Sequence, residues 1–121
     1  MAIHTVLVVD DSPTERYFLT DILRKNGYEV LTAESGESSI NIAKSNKPDL
    51  ILMDVVMPGL NGFQATRMLN RDADTKDIPV IMCTTKSQET DRVWGLRQGA
   101  VDYLVKPVVA EQLLNKIKAL G

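Results

Sequence analysis

The sequence has one cysteine, no long apolar run and no concentration of positive charge, and each shortage excludes a class of protein. Cys83 has no partner for an internal disulfide, so a reducing cytoplasm fits and nothing argues for export. The longest apolar runs, such as Leu50 to Met53, are far too short to cross a bilayer. Met1-Ala2-Ile3-His4 lacks the charged segment and extended apolar core of a secretion signal. Lysine and arginine number 14 against 16 acids, a net charge of −2, and the two signs are interspersed. No basic stripe is available to neutralise nucleic-acid phosphates. Direct nucleic-acid binding and membrane insertion are therefore not expected, and the expected location is the cytoplasm.

Long linkers, internal repeats and Ser/Pro-rich stretches are also missing. The 121 residues, 44% hydrophobic and 25% charged, suit a single folded domain spanning 1–121 with no separate output domain. Short β-branched apolar runs alternate with longer amphipathic ones. Val6–Val9, Leu50–Met53 and Val80–Cys83 are nearly continuous in apolar character, as strands of a parallel sheet are when both faces are covered. Tyr28–Ala33 and Val101–Val105 bring the set to five.

Helical patterns fill the intervals. Residues 13–26 place Phe18, Leu19, Ile22 and Leu23 on one face and turn Arg16, Asp21 and Arg24 toward water. Ser12-Pro13-Thr14-Glu15 carries an N-cap serine, a proline at the first helical position and a glutamate three residues on. Asn61-Gly62-Phe63-Gln64 repeats the capping logic ahead of inward-facing Ala65, Met68 and Leu69. Leu113, Leu114, Ile117 and Leu120 form the stripe of a last helix over 109–120, while Gly27, Pro48, Gly59, Gly99 and Pro107 punctuate the joins. Five-fold βα alternation with right-handed crossovers predicts an α/β, doubly wound, flavodoxin-like five-stranded parallel sheet of order 2-1-3-4-5. Chemistry in such a sheet belongs at the carboxyl ends of its central strands.

Those ends are acidic. The first strand ends in Asp10-Asp11, the third in Asp54, the fourth in Thr84-Thr85 and the fifth in Lys106-Pro107. Three carboxylates crowded into one crevice repel unless something positive joins them. A hard divalent cation with oxygen ligands meets that need, and Mg²⁺ suits a few carboxylates with waters and a phosphate oxygen.

Asp10-Asp11, Asp54 followed by Met57-Pro58 and Gly62, then Thr84, then Lys106-Pro107, together resemble the full signature of the response-regulator receiver domain, CheY-like, from Val6 to Leu120. The resemblance implies a phosphorylation switch of a two-component phosphorelay, not an enzyme in the ordinary sense. Asp54 would accept a phosphoryl group from the phosphohistidine of a sensor histidine kinase. Asp11 and Asp54 would bind Mg²⁺ directly, with the Val56 backbone carbonyl as a further ligand and Asp10 acting through water. Lys106 would pair with the aspartyl-phosphate, its amine aimed by a cis peptide before Pro107, and the Thr84 hydroxyl would bond another oxygen. Tyr103 would then move from a solvent-facing to a buried rotamer, changing the surface formed by helix 4, strand 5 and helix 5. An output protein of unknown identity would read that surface, from a monomer or a weak phosphorylation-linked dimer.

Three positions depart from the common pattern. Val56 and Lys86, each two residues past a site residue, border the path of an attacking water and stand where many relatives carry polar and acidic or amide side chains. Slow self-dephosphorylation is the expectation. Thr85 replaces the usual alanine and is expected to restrict the stroke of its loop.

Other readings fit the residues less well. Phosphatases with an aspartyl nucleophile carry a second aspartate where Val56 stands. A nucleotide or flavin module would need a phosphate loop, and neither a Gly-rich loop nor a GxxxxGK[ST] motif is present. A degenerate protein-binding scaffold would not need the complete acidic set with Lys106. Cys83 reads as a buried, inert thiol, His4 as a surface residue, and Trp94 as a residue of the fourth helix serving the core or a partner. Phe63-Gln64-Ala65-Thr66, Cys83-Thr84-Thr85-Lys86 and Trp94 to Ala100 resemble stand-alone regulators of chemotaxis-like pathways, those controlling type IV pili and twitching motility in particular. A phosphate sink for a sister regulator is the alternative role.

Overall fold

The computed structural model describes residues 2–121. Strand β1 (Thr5–Val9) is followed by α1 (Pro13–Lys25), β2 (Glu29–Ala33), α2 (Gly36–Asn46), β3 (Leu50–Met53), α3 (Gly62–Arg71), β4 (Val80–Thr84), α4 (Glu89–Arg97), β5 (Asp102–Val105) and α5 (Ala110–Leu120). All pairings are parallel, in the order β2-β1-β3-β4-β5 expected from the alternation.

The continuous apolar runs are explained by burial on both faces. Val6, Val8, Leu50, Leu52, Ile81 and Cys83 point to one side, where Leu19 and Leu23 of α1 and Leu113 and Ile117 of α5 cover them. Leu7, Val9, Ile51 and Met53 point to the other, against Ala43 of α2 and Ala65 and Leu69 of α3. Truncating any of these buried leucines to alanine costs about 2–5 kcal/mol, because the close-packed surroundings collapse only in part.

Two of the expected inward residues face out. Phe18 is 42% exposed, because the buried stripe of α1 centres on Leu19 and Leu23. Met68 is 50% exposed, and its expected place belongs to Thr66. Gly62 sets the phase of α3. A Cβ there would collide with the Asp54 carbonyl and sit 2.8 Å from the Val55 Cα, so this position must face the sheet bare. Ala65, Thr66 and Leu69 follow it inward at helical spacing, and Met68 is turned away.

Arg16 also departs from expectation. Instead of reaching into water, its guanidinium folds back and donates to the Asp10 carbonyl at 2.7 Å and to Glu34 at 3.3 Å. Ser12 caps α1 by accepting the Glu15 N–H, but its own N–H goes to Asp10 and not to Glu15. At α3 both halves of the capping box form between Asn61 and Gln64.

Candidate functional site

The backbone ladder continues past the strand ends and fixes the site. Asp10 N–H donates to the Ala33 carbonyl, Asp54 N–H to the Val9 carbonyl and Lys106 N–H to the Thr84 carbonyl, at 2.8–3.1 Å. Each of these three residues is thus the first beyond a rigid strand; Asp10 and Asp54 stand where the strand order reverses, between β1 and β3, and Lys106 follows the edge strand β5.

Their side chains converge. Carboxylate oxygens of Asp10, Asp11 and Asp54 lie within 4.8 Å of one another, with Asp10 and Asp54 buried and Asp11 exposed. Lys106 enters from the far side of β4, its Nζ 2.6 Å from Asp10 Oδ2 and 3.5 Å from Asp54 Oδ1. The Asp10 carboxylate is held at both ends, since Oδ1 accepts the Ser12 N–H at 2.9 Å. Asp54 Oδ1 accepts the Val55 N–H at 2.9 Å. The peptide bond before Pro107 is cis, as the resemblance implied.

Charge and burial set the ionisation of the site. Burial, reinforced by the negative charge of Asp10, pushes the Asp54 carboxyl up to about 6, against the opposing pull of Lys106 and the Val55 N–H. Burial works against the Lys106 ammonium, yet its hydrogen bond to Asp10 and the charges of Asp54 and Asp10 outweigh that and hold it above the ordinary lysine range. Above pH 6, three carboxylates face one ammonium and leave two negative charges uncompensated. That surplus, on oxygen donors alone, fits a hard divalent cation such as Mg²⁺.

The remaining predicted residues sit around this centre. Thr84 is fully buried at the end of β4, and its Oγ1 accepts the Lys86 N–H at 3.2 Å. Tyr103 is buried here, and its hydroxyl donates to the Lys86 carbonyl at 2.8 Å. The structure therefore shows the inward rotamer of Tyr103, and Thr84 and Tyr103 hold the same residue, Lys86, at its N–H and at its carbonyl. Val56 is 55% exposed at the mouth of the site. The Lys86 ammonium turns toward Asp91, 3.9 Å away. Cys83 is buried and pushed up to about 12 by that burial, which makes it an inert thiol. Exposed His4 takes no part.

Sequence patterning missed Arg16 and the Ser12 amide, both of which fasten Asp10. The only available signal was their position at the start of a helix that opens on the site. Gly95 was missed as well. A Cβ there would lie 2.8 Å from Met82 Sδ and 3.2 Å from the Tyr103 ring, so α4 rests on the aromatic only because position 95 is bare.

A doubly wound sheet with three carboxylates and one lysine at its switch point defines a CheY-like signalling domain. The chain belongs to the response regulator receiver domain family, whose model matches residues 6–118. It is 62% identical over 115 residues to Protein PilH of Pseudomonas aeruginosa, covering 95% of each chain. Other relatives that it matches are about twice as long, and the chain spans about half of them. Among solved structures it resembles the chemotaxis protein CheY4 of Vibrio cholerae, at TM-score 0.91 and 33% identity over 99% of this chain and 100% of that one. It also resembles the receiver domain of sensor histidine kinase PA1611 from Pseudomonas aeruginosa, at TM-score 0.89 and 30% identity over 98% of this chain and 97% of that one. A magnesium ion is coordinated in the active site cleft of that protein. Among the described residues no helix is long and apolar enough to cross a membrane.

Proposed function

We propose that Asp54 is the phosphoacceptor of a phosphorelay, charged by the phosphohistidine of a chemotaxis-like histidine kinase. The observation that carries this reading is the convergence of Asp10, Asp11, Asp54 and Lys106 at the sheet's switch point. An ionised Asp54 oxygen forms the new O–P bond as the P–N bond to the kinase imidazole breaks, and the imidazole keeps the electron pair and takes up a proton. Rigid strand ends align the carboxylate, and Lys106 is within a short side-chain motion of any oxygen attached to Asp54. Asp11, Asp54 and the Val56 carbonyl would hold Mg²⁺, with Asp10 acting through water. When bound, the ion supplies the positive charge that the crowded carboxylates and phosphoryl oxygens require.

The Thr84 hydroxyl would turn from the Lys86 amide toward a phosphoryl oxygen. Because Tyr103 holds the carbonyl of the same Lys86 residue, that turn transmits to the surface of α4, β5 and α5. The inward Tyr103 rotamer is one state of an equilibrium that the phosphoryl group biases. The similarity to Protein PilH, together with the α3 and α4 segments noted above, supports a role in a chemotaxis-like pathway controlling type IV pilus twitching motility.

Incubation with a small phosphodonor and Mg²⁺ tests the acceptor role. The intact chain gains the mass of one phosphoryl group, and Asp54→Asn gains none. Equal labelling of the two would defeat the proposal.

A further inference from the structure

The chain is acidic overall, yet its arginines are distributed unevenly. Among the described residues Arg16 is the one arginine with a carboxylate partner. Three of the remaining five line a single groove between α3 and α4. That groove, about 390 Å³, is walled by Arg67, Asn70, Arg71, Trp94, Arg97 and Gln98. It lies on the flank of α4 turned toward α3, away from β5 and α5.

Helix-end electrostatics explain part of this arrangement. Arg71 and Arg97 occupy last turns, where a cation complements the macrodipole. Arg67 lies one turn earlier, and its charge adds to that of Arg71 at i,i+4, a repulsive spacing in an isolated helix. Three guanidiniums line the groove, no acid does, and among the described residues none of the three is held in an ion pair.

Trp94 stands among them, 48% exposed. Val93, on the same helix, is 41% exposed and lines an adjoining hollow with Glu89, Thr90, Trp94 and Arg97. Tryptophan and arginine are the residues most enriched at the energetic centres of protein interfaces. A free aromatic ringed by unpaired guanidiniums fits a partner that brings both carboxylates and an apolar side chain.

We propose that the α3–α4 groove docks an acidic segment of a protein partner, with Trp94 as its apolar anchor and Arg67, Arg71 and Arg97 pairing its carboxylates. The groove shares no residue with the acceptor site, and its Trp94 and Arg97 lie on α4.

Trp94 is the sole tryptophan, so its emission reports on the groove directly. The full chain is titrated with an acidic Glu/Leu peptide, a matched Lys/Leu peptide and ATP. The acidic peptide alone gives a saturable change in Trp94 emission, weakened by salt. In the exposed double variant Arg67→Glu/Arg71→Glu its affinity falls by about tenfold or more, and the basic peptide now binds. Circular dichroism and labelling of Asp54 by a small phosphodonor stay as in the parent, which separates lost docking from lost folding. Equal affinity in parent and variant, no saturable response up to about 1 mM peptide, or tighter binding of ATP than of the peptide would each overturn the proposal.

Discussion

Gly95 lies directly against the Tyr103 ring, so close that a single added methyl would stand 3.2 Å from two ring carbons and 2.8 Å from Met82 Sδ. The buried tyrosine, its bond to the Lys86 carbonyl and the seat of α4 on β5 all rest on that missing side chain. Gly95→Ala is expected to destabilise the domain by about 1–3 kcal/mol through overpacking, despite the better helix propensity of alanine. Urea unfolding measures the loss. In the Tyr103→Ala background the same substitution should cost markedly less, because the ring is gone. An equal cost in both backgrounds would show that the tyrosine is not what the methyl meets.

The raised carboxyl of Asp54 makes stability depend on pH in a definite direction. Without divalent metal, the folded chain keeps its Asp54 proton up to about pH 6, whereas an unfolded chain loses it near 3.8. Between these values the native state binds more protons, so this group's contribution to stability falls as pH rises through the window and is level above it. Asp54→Asn lacks the penalty and, allowing for solvent at the crevice mouth, should be more stable by about 1–2 kcal/mol above pH 7 in chelator. The gap should close toward pH 4, and Mg²⁺ should narrow it by binding the parent. Denaturant curves at several pH values would show otherwise if the gap widened in acid.

Lys106 opposes both carboxylates it faces. Replacing it with methionine removes the positive charge that lowers the Asp54 carboxyl, so the midpoint of that group should rise further above 6. It also strands the buried Asp10 oxygen, at a cost of about 3–5 kcal/mol near neutral pH. Carboxyl-carbon NMR of Asp54 follows the first effect and chemical unfolding the second. A midpoint that stays or falls would mean that the amine does not act on Asp54.

On the proposed function, Val56 and Lys86 would flank the approach to Asp54 without offering a carboxylate or amide to orient water. Val56 is apolar, and the Lys86 ammonium is turned toward Asp91 on α4. Val56→Asn with Lys86→Glu should shorten the lifetime of the phosphorylated chain several-fold, followed as loss of the added mass after the donor is removed. An unchanged lifetime would place control of hydrolysis elsewhere.

Strands and site were legible in the sequence for the same reason. Val6–Val9, Leu50–Met53 and Val80–Cys83 are apolar at every position, which only two-sided burial explains, and acids follow the first two without a gap. A parallel sheet then brings Asp10, Asp11, Asp54 and Lys106 together whatever the helices do. Helix rotation was not legible. Periodicity marks a stripe but not its centre, so Phe18 and Met68 were assigned inward although Leu19 and the bare Gly62 set the phases of their helices. Arg16 was lost similarly, because a charged residue on a helix flank reads as solvated until the Asp10 carbonyl is known to lie beside it. Nor could a sequence say which rotamer Tyr103 takes, since that depends on packing under Gly95 from a different element.

Chemical trapping of the phosphorylated chain bears most directly on the role of the strand-end acids. Borohydride reduces an acyl phosphate to an alcohol and so converts the modified aspartate into homoserine, which peptide mass spectrometry can place. After treatment with a phosphodonor and Mg²⁺, homoserine should be found at position 54. Homoserine at position 10 or 11, or none in a chain that has gained the phosphoryl mass, would contradict the account.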